Sequence, residues 1–179
     1  MSLFKKSKTE QSAPRLAPWK IAIIDDEEGI HEVTKLTLRK FTFEKRGVEF
    51  LSAHSGEEGL ALFKAHPDIA LAFVDVVMET DDAGLKLVDA IRNELNNHVS
   101  RLILRTGQPG QAPEEDVIRR YDINDYKAKT ELSSLKLKSC VYTAIRSYRD
   151  IQTIEQGKRG MEDVLKSSSS VLASQSLAQ

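Results

Sequence analysis

Three carboxylates, one hydroxyl and one ammonium group follow or lie within hydrophobic segments that are typical of buried strands. They belong to Asp25, Asp26, Asp75, Thr106 and Lys129. Closely packed carboxylates repel one another unless a cation joins them, and hard oxygen ligands select Mg²⁺ or Mn²⁺. Such a metal ion, together with Thr106 and Lys129, could neutralise the oxygens of a phosphoryl group, which makes Asp75 the natural nucleophile. These residue types therefore indicate phosphoryl-transfer chemistry, provided that the fold brings them together.

Five strand–helix repeats would position these residues. The predicted strands are Lys20–Ile24, Val48–Ala53, Ile69–Val77, Leu102–Leu104 and Ile123–Ala128. The predicted helices are Glu28–Phe43, a helix capped by Ser55 that ends at Lys64, Gly84–Leu95, Glu114–Tyr121 and a long helix from near Ser133. Strands that alternate with helices indicate right-handed βαβ units and a five-stranded, doubly wound parallel sheet. Because ligands bind outside the carboxyl ends of such strands, the five polar residues should share one pocket.

Each of these residues also has an ordinary structural interpretation. An Asp-Asp pair after a strand is usually a solvated turn or a helix cap, Thr106 before Gly107 suits a turn, and Lys129 suits an exposed surface. Asp75 is more informative, since it lies within the apolar segment FVDVV and burial of an unpaired charge is costly. The coincidence of all five residues at one edge of the predicted sheet favours the functional interpretation.

The composition excludes several classes of protein. The 179 residues include 26 basic and 27 acidic side chains, and this balance gives no reason to expect a nucleic acid or an anionic membrane as partner. The single cysteine, Cys140, excludes a disulfide framework. No apolar run approaches the roughly 18–20 residues of a membrane-spanning helix, and the first residues lack the apolar segment of a secretory signal. We expect a soluble cytoplasmic protein with one domain and an appendage.

The chain divides into a flexible tail over residues 1–18, a domain over residues 19–149 and a helical extension over residues 150–179. Apolar residues at alternating spacings of four and three lead from the domain into the extension: Leu137, Val141, Ala144, Tyr148 and Ile151. The inner part of this stripe should pack on the sheet. Tyr148, Ile151 and Ile154 could form a helical dimer seam, and Gly157 and Gly160 are expected to interrupt the pattern.

Four short motifs give the sequence a specific resemblance. From about Lys20 to Asp150, the segments IIDDE, FVDVVM, ILRTG and DYKAK resemble those of the receiver domains of bacterial two-component response regulators. The resemblance implies a flavodoxin-like (βα)5 fold and a switch that catalyses only its own phosphorylation and dephosphorylation. It also implies a histidine kinase or histidine phosphotransfer protein as the phosphoryl donor. A homodimer could form through the fourth helix, the fifth strand and the extended fifth helix.

The resemblance also implies a role for individual residues. Asp75 would be the phosphoacceptor, and Mg²⁺ or Mn²⁺ would be bound by Asp26, Asp75 and the backbone carbonyl of Val77, with Asp25 acting through water. Thr106 would contact the phosphoryl group, and Lys129 would form an ion pair with it. Tyr126 matches the aromatic residue that rotates inward on activation.

Three positions depart from the pattern of the family. Thr130 replaces the usual proline after the lysine, which argues against a cis peptide bond there. Val77 stands where a polar residue is common, and Glu79 stands where proline is common. The acidic stretch of Glu79, Asp81 and Asp82 is expected to be a solvated loop.

Longer segments resemble a subgroup in which a receiver precedes a poorly characterised middle domain and an output domain that often acts on cyclic di-GMP. These segments are DVVMETDDAGLKLV, ILRTGQPGQAPE and YDINDYKAKTEL, and residues 150–179 resemble the helical lead into the middle domain. No motif of an output domain is visible, so the regulated domain is expected outside this sequence. Two alternatives remain open. A haloacid-dehalogenase-like phosphohydrolase normally needs a second aspartate where Val77 stands, and a docking module would have a vestigial pocket.

Overall fold

Strands and helices alternate along the chain in a computed structural model that describes residues 16–107, 114–131 and 134–176. The strands are β1 (Trp19–Ile24), β2 (Val48–Ala53), β3 (Ile69–Asp75), β4 (Arg101–Thr106) and β5 (Asp125–Ala128). The helices are α1 (Glu28–Leu38), α2 (Gly56–Ala65), α3 (Ala83–Asp89), α4 (Glu114–Tyr121) and α5 (Ser134–Ser176). A π-helical turn (Ala90–Glu94) continues α3, and a 3-10 turn (Lys129–Glu131) follows β5.

The five strands form one parallel sheet in the order β2-β1-β3-β4-β5. All seven residues of β3 are buried, as expected for a central strand that is covered on both faces. One face packs against α2 and α3 through Ala72 and Val74, and the other packs against α1 and α5 through Leu71 and Phe73. The prediction of a doubly wound, flavodoxin-like sheet is confirmed.

Local sequence signals set several element boundaries correctly. Ser55 accepts a hydrogen bond from the backbone N–H of Glu58 at 3.2 Å, and the Glu58 carboxylate accepts one from the N–H of His54 at 2.7 Å. These bonds satisfy the backbone donors of Glu58 and His54 near the start of α2. The predicted Ser55 cap is confirmed, but the capping box is not reciprocal, because the Glu58 carboxylate bonds the N–H of His54 rather than that of Ser55.

The first helix is shorter than predicted. It ends at Leu38, and a turn follows in which Glu44 and Lys45 have φ angles of 51° and 61°. Phe43 pairs with Arg46 across this turn and is buried against Trp19, whose indole Nε1 donates a hydrogen bond to the Phe43 carbonyl at 3.1 Å. This tertiary contact overrides the helical pattern that extends to Phe43 in the sequence.

The last helix continues for 43 residues and passes through both Gly157 and Gly160. These two glycines, which interrupt the apolar pattern in the sequence, therefore do not interrupt the helix. A glycine inside a helix costs about 1 kcal/mol relative to alanine, which weakens a helix without ending it. No helix in the described part of the chain is both long and apolar enough to cross a membrane.

The inner stripe of α5 packs on the domain as expected. Leu137, Val141, Ala144 and Tyr148 are all buried. The Tyr148 hydroxyl donates a hydrogen bond to the carbonyl of Asp68 at 3.2 Å, and its ring meets the Trp19 ring edge-on. Tyr148 is thus covered by its own domain, so its predicted place in a dimer seam is wrong.

Candidate functional site

Lys129 joins two buried carboxylates at the carboxyl edge of the sheet. Its Nζ lies 2.9 Å from Oδ2 of Asp75, the last residue of β3, and 3.2 Å from both carboxylate oxygens of Asp25, which directly follows β1. Lys129 itself comes directly after β5. The parallel topology therefore brings together three residues that are far apart in sequence.

Glu27 is a fourth member of this group and was not among the site residues predicted from the sequence. Its Oε1 lies 2.7 Å from Lys129 Nζ, and this ion pair lowers the pKa of the Glu27 carboxyl through hydrogen bonding and charge. Its position in the segment IIDDE, directly after Asp25 and Asp26, was the signal from which Glu27 could have been predicted as a site residue.

The carboxylates are close enough to share a cation. One oxygen from each of Asp25, Asp26, Glu27 and Asp75 lies within 4.8 Å of the others. Asp25 Oδ2 is buried and has no hydrogen-bond partner among the described residues, although Lys129 is within ion-pair distance. A buried, unsatisfied carboxylate oxygen in an all-oxygen donor set fits Mg²⁺ or Mn²⁺.

Opposing effects act on the pKa of the Asp75 carboxyl group. Burial is the largest effect and raises the pKa of its carboxyl, and the negative charge of Asp25 raises it further. The hydrogen bond from Lys129 and the backbone N–H of Val77 lower it, but the net direction is upward. The pKa of the Lys129 ammonium group is also raised, because its carboxylate partners together outweigh the effect of burial.

The other predicted site residues lie at the same edge of the sheet or beneath it. Thr106 is buried at the end of β4, in register with Ala128 of β5. Tyr126 is buried beside Leu104, so its ring occupies an inward position. Val77 is 40% exposed after the end of β3. The described residues contain no cis peptide bond, and the Lys129–Thr130 bond is accordingly trans.

The β3–α3 loop is attached to α2 by Glu79. Its Oε1 and Oε2 accept hydrogen bonds from the backbone N–H of Gly56, the first residue of α2, at 2.9 and 3.2 Å. Glu79 is exposed, as expected for a residue in a solvated loop. Its carboxylate also caps the N-terminus of α2. The loop that carries Val77 is thereby fixed to a second element.

Gly84 permits a very close approach between α3 and the phosphoacceptor candidate. Its N–H donates a hydrogen bond to the carbonyl of Val76 at 3.0 Å, and a Cβ atom at this position would lie 1.9 Å from the carbonyl oxygen of Asp75. Only glycine fits there without movement of the backbone.

Two further buried polar residues support the site from the α1 face. His31 is fully buried, and its Nε2 lies 2.7 Å from the carbonyl oxygen of Asp25, so Nε2 carries the proton. Arg105 is buried next to Thr106 in the sequence, and its Nη1 donates a hydrogen bond to Oγ1 of Thr34 at 3.2 Å. Arg105 lies within the quoted segment ILRTG, whereas His31 lies in none of the quoted segments, and the sequence assigned a role to neither. Their contacts are visible only in the tertiary structure.

The sequence is similar to part of a longer protein. Over 160 residues it is 49% identical to the 3'3'-cGAMP-specific phosphodiesterase 2 of Vibrio cholerae serotype O1 (strain ATCC 39315 / El Tor Inaba N16961), a match that covers 89% of this chain and 31% of that protein. The chain thus spans about a third of the length of this relative. A family described as a domain of unknown function (DUF3369) matches residues 141–179, which begin within α5.

Solved receiver domains share the fold of this chain. A CheY-like receiver domain from Methanospirillum hungatei JF-1 superposes with a TM-score of 0.59 at 23% identity, and one from Clostridium thermocellum with 0.62 at 24% identity. Each match covers 74% of this chain and 98% of the other. The receiver domain of an HD domain-containing protein from Pseudomonas fluorescens Pf-5 has a TM-score of 0.61 at 19% identity, with the same coverage. The chain therefore has the five-stranded α/β fold of response regulator receiver domains, to which a long final helix is added.

Proposed function

We propose that the chain is a phosphorylatable receiver in which Asp75 accepts a phosphoryl group from a phosphohistidine. The donor would be a histidine kinase or a histidine phosphotransfer protein. The observation that carries the proposal is the buried Asp75 carboxylate, which is held 2.9 Å from Lys129 and beside Asp25 at the carboxyl edge of the sheet. Such a convergence of carboxylates and one ammonium group suits the transfer of a phosphoryl group to the Asp75 carboxylate.

The residues would divide the chemistry among them. A carboxylate oxygen of Asp75 attacks phosphorus, the bond between phosphorus and the histidine nitrogen breaks, and the electron pair returns to the imidazole. Lys129 stabilises charge on the transferred group, and the Thr106 hydroxyl donates a hydrogen bond to one of its oxygens. Asp26, Asp75 and the Val77 carbonyl would hold a divalent metal ion, with Asp25 acting through water. When bound, that ion would neutralise charge on the phosphoryl oxygens.

Incubation with Mg²⁺ and acetyl phosphate, or with phosphoramidate, tests this assignment by intact-protein mass spectrometry. We expect the wild type to gain one phosphoryl group, Asp75→Asn to gain none and the matched control Asp81→Asn to behave as the wild type. Continuous release of inorganic phosphate would instead support the phosphohydrolase alternative. An unmodified wild type without turnover would support a docking module, and an unchanged mass gain in Asp75→Asn would refute the choice of Asp75.

The regulated output is proposed to be hydrolysis of a cyclic dinucleotide by a separate domain. The name of the 49% identical relative supports this choice, because it describes a phosphodiesterase that is specific for 3'3'-cGAMP. The chain itself would catalyse only its own phosphorylation and dephosphorylation. In its described residues, the Asp25–Asp75 cluster is the one group of three or more His, Cys, Asp or Glu side chains that could hold a metal ion. We expect no hydrolysis of 3'3'-cGAMP by this chain alone, as measured by chromatography.

The proposed organisation is a receiver over residues 19–149 and a helical extension over residues 150–179, with the cytoplasm as the proposed location. Self-association would use the face formed by α4, β5 and α5 together with the exposed part of α5. Phosphorylation at Asp75 would draw Thr106 toward the phosphoryl group and so alter the space that Tyr126 occupies. The exposed apolar residues Ile154 and Met161 support an interaction surface on the extension.

A further inference from the structure

Arg105 places a positive charge beneath the acidic site. It is in register with Asp75 across the β3–β4 ladder, so both side chains lie on the face of the sheet that α1 and α5 cover. Its guanidinium carbon lies 5.4 Å from the centre of the Phe73 ring, and only 5% of the residue is exposed. The charge is therefore enclosed by the domain rather than directed to solvent.

Among the described residues, no carboxylate is in direct contact with this buried charge. Its hydrogen bond to Thr34 is with a neutral hydroxyl, and its Nε has no hydrogen-bond partner among the described residues. Burial, the largest effect, lowers the pKa of the guanidinium, and the negative charges of Asp25 and Asp75 raise it. A buried charge is costly unless opposite charge compensates it, and these two carboxylates supply that compensation at longer range.

We infer that Arg105 is a built-in counter-cation of the Asp25–Asp75 site, which offsets part of its negative charge from the protein side and thereby weakens its affinity for a divalent cation. The inference rests on the proposed function, because it concerns the metal ion that phosphoryl transfer would require. Arg105 is a positioning residue in this scheme, since it acts through Asp25 and Asp75. Its effect is electrostatic and therefore depends on charge rather than on shape.

The same strand provides a matched control. Arg101 lies at the opposite end of β4, on the same face as Arg105, and is also largely buried. Its guanidinium donates hydrogen bonds to the carbonyls of Val99 and His98 and is remote from the acidic site. The two positions are four residues apart along the strand, or about 13 Å. Loss of a buried arginine from this strand can therefore be separated from loss of charge near Asp75.

The test measures Mg²⁺ binding by metal-free protein, by calorimetric titration and by the magnesium-dependent rise in melting temperature. We expect Arg105→Met and Arg105→Gln to bind Mg²⁺ roughly fivefold more tightly, because each variant removes one positive charge that repels a divalent cation at this site. Arg105→Lys retains the charge and should match the wild type. Arg101→Met should also match it.

Each outcome has a defined meaning. Unchanged magnesium affinity in folded Arg105→Met and Arg105→Gln would overturn the inference while leaving phosphorylation of the wild type intact. Equal tightening in Arg105→Lys would also overturn it, because the effect would then depend on shape. If neither neutral variant folds, as judged by circular dichroism, Arg105 is a structural residue of the core and the inference fails. A wild type that binds no Mg²⁺ would instead refute the proposed function.

Discussion

At the residue scale, Lys129 is already paired before any phosphoryl group arrives. It contacts Asp25, Glu27 and Asp75, and only 12% of its side chain is exposed. An incoming phosphoryl group must therefore compete with these carboxylates for the ammonium group. The exposed Glu27 is the partner that can leave most easily, because water can solvate its carboxylate.

Removal of Lys129 should expose how much the metal-free site depends on one cation. Lys129→Met leaves the buried carboxylates of Asp25 and Asp75 without their ion-pair partner, so we expect a loss of about 2 kcal/mol in the free energy of unfolding. Urea denaturation measures this loss. In a double-mutant cycle, Lys129→Met in an Asp75→Asn background should cost at least about 0.5 kcal/mol less. Strict additivity of the two changes would contradict the proposed coupling.

The raised pKa of Asp75 predicts a pH-dependent stability difference. The folded protein holds the Asp75 proton more tightly than the unfolded chain, whose carboxyl titrates near the ordinary value of 3.8. Stability therefore falls as the pH rises from that value through the folded pKa, and the cost of the charge persists at neutral pH. We expect metal-free Asp75→Asn to melt higher than the wild type at pH 7. The difference should disappear below about pH 3.8, where Asp75 is protonated in both states.

Melting curves of both proteins between pH 3 and 8, in the presence of a chelator, provide the measurement. Asp81→Asn is the control for a general effect of net charge, because it removes an exposed carboxylate from the β3–α3 loop, which follows Asp75. A wild type that is more stable than Asp75→Asn at pH 7 would show that the Lys129 ion pair outweighs the burial of Asp75.

At the element scale, the β3–α3 connection is defined by close backbone contacts rather than by side-chain type. The N–H of Val76 donates a hydrogen bond to the carbonyl of Arg105, and Gly84 packs directly against the carbonyl of Asp75. These contacts position the end of β3 between β4 and the start of α3. A change in either neighbour therefore reaches the phosphoacceptor candidate through the backbone.

Gly84→Ala should accordingly disturb the site as well as the fold. The new Cβ would lie 1.9 Å from the Asp75 carbonyl oxygen, so α3 or the end of β3 must move, at a cost of about 2–3 kcal/mol. We expect a lower melting temperature and reduced phosphoryl uptake from acetyl phosphate. Gly29→Ala in α1 is the matched control, because nothing lies within 4 Å of its added Cβ and alanine favours helix. Wild-type uptake in Gly84→Ala would show that the contact does not position Asp75.

The elements that the sequence predicts well are those whose signals are local. The apolar run of β3 and the helix cap at Ser55 each depend on neighbouring residues. The cap forms as predicted, and β3 begins at Ile69 as predicted but ends at Asp75 rather than at Val77. The early end of α1 depends on the burial of Phe43 against Trp19, which no local pattern encodes.

The same distinction applies to the candidate site. Asp25, Asp75 and Lys129 could be predicted to meet because parallel strands end at one edge of a sheet. The contributions of Arg105 and Gly84 could not, because they arise from packing across strands and between a helix and a strand end. Periodicity and spacing along the chain carry no information about such contacts.

At the scale of the whole molecule, α5 presents two different apolar faces in succession. Leu137 and Tyr148 face the domain, whereas Ile154, Met161 and Leu165 are more than 60% exposed. At 3.6 residues per turn, the three exposed residues fall within an arc of about 40°, which is rotated by about 110° from the buried stripe. The domain therefore covers only the first part of a helix about 65 Å long.

This second face predicts that self-association requires the extension and not the domain alone. We expect the full chain to form dimers in sedimentation velocity experiments, because paired helices would bury Ile154, Met161 and Leu165. Beryllofluoride, a phosphoryl mimic, should strengthen association if Asp75 controls the α4–β5–α5 face. A truncation to residues 1–149 retains Tyr148 and the buried stripe, and it should remain monomeric. Met161→Asp in the full chain places a charge on the exposed apolar face and should weaken the dimer at least tenfold. Arg159→Asp introduces the same side chain at a neighbouring position outside that face and serves as the control. If the full chain is monomeric with and without beryllofluoride, the second face does not mediate self-association, and the extension would have to contact another protein or domain.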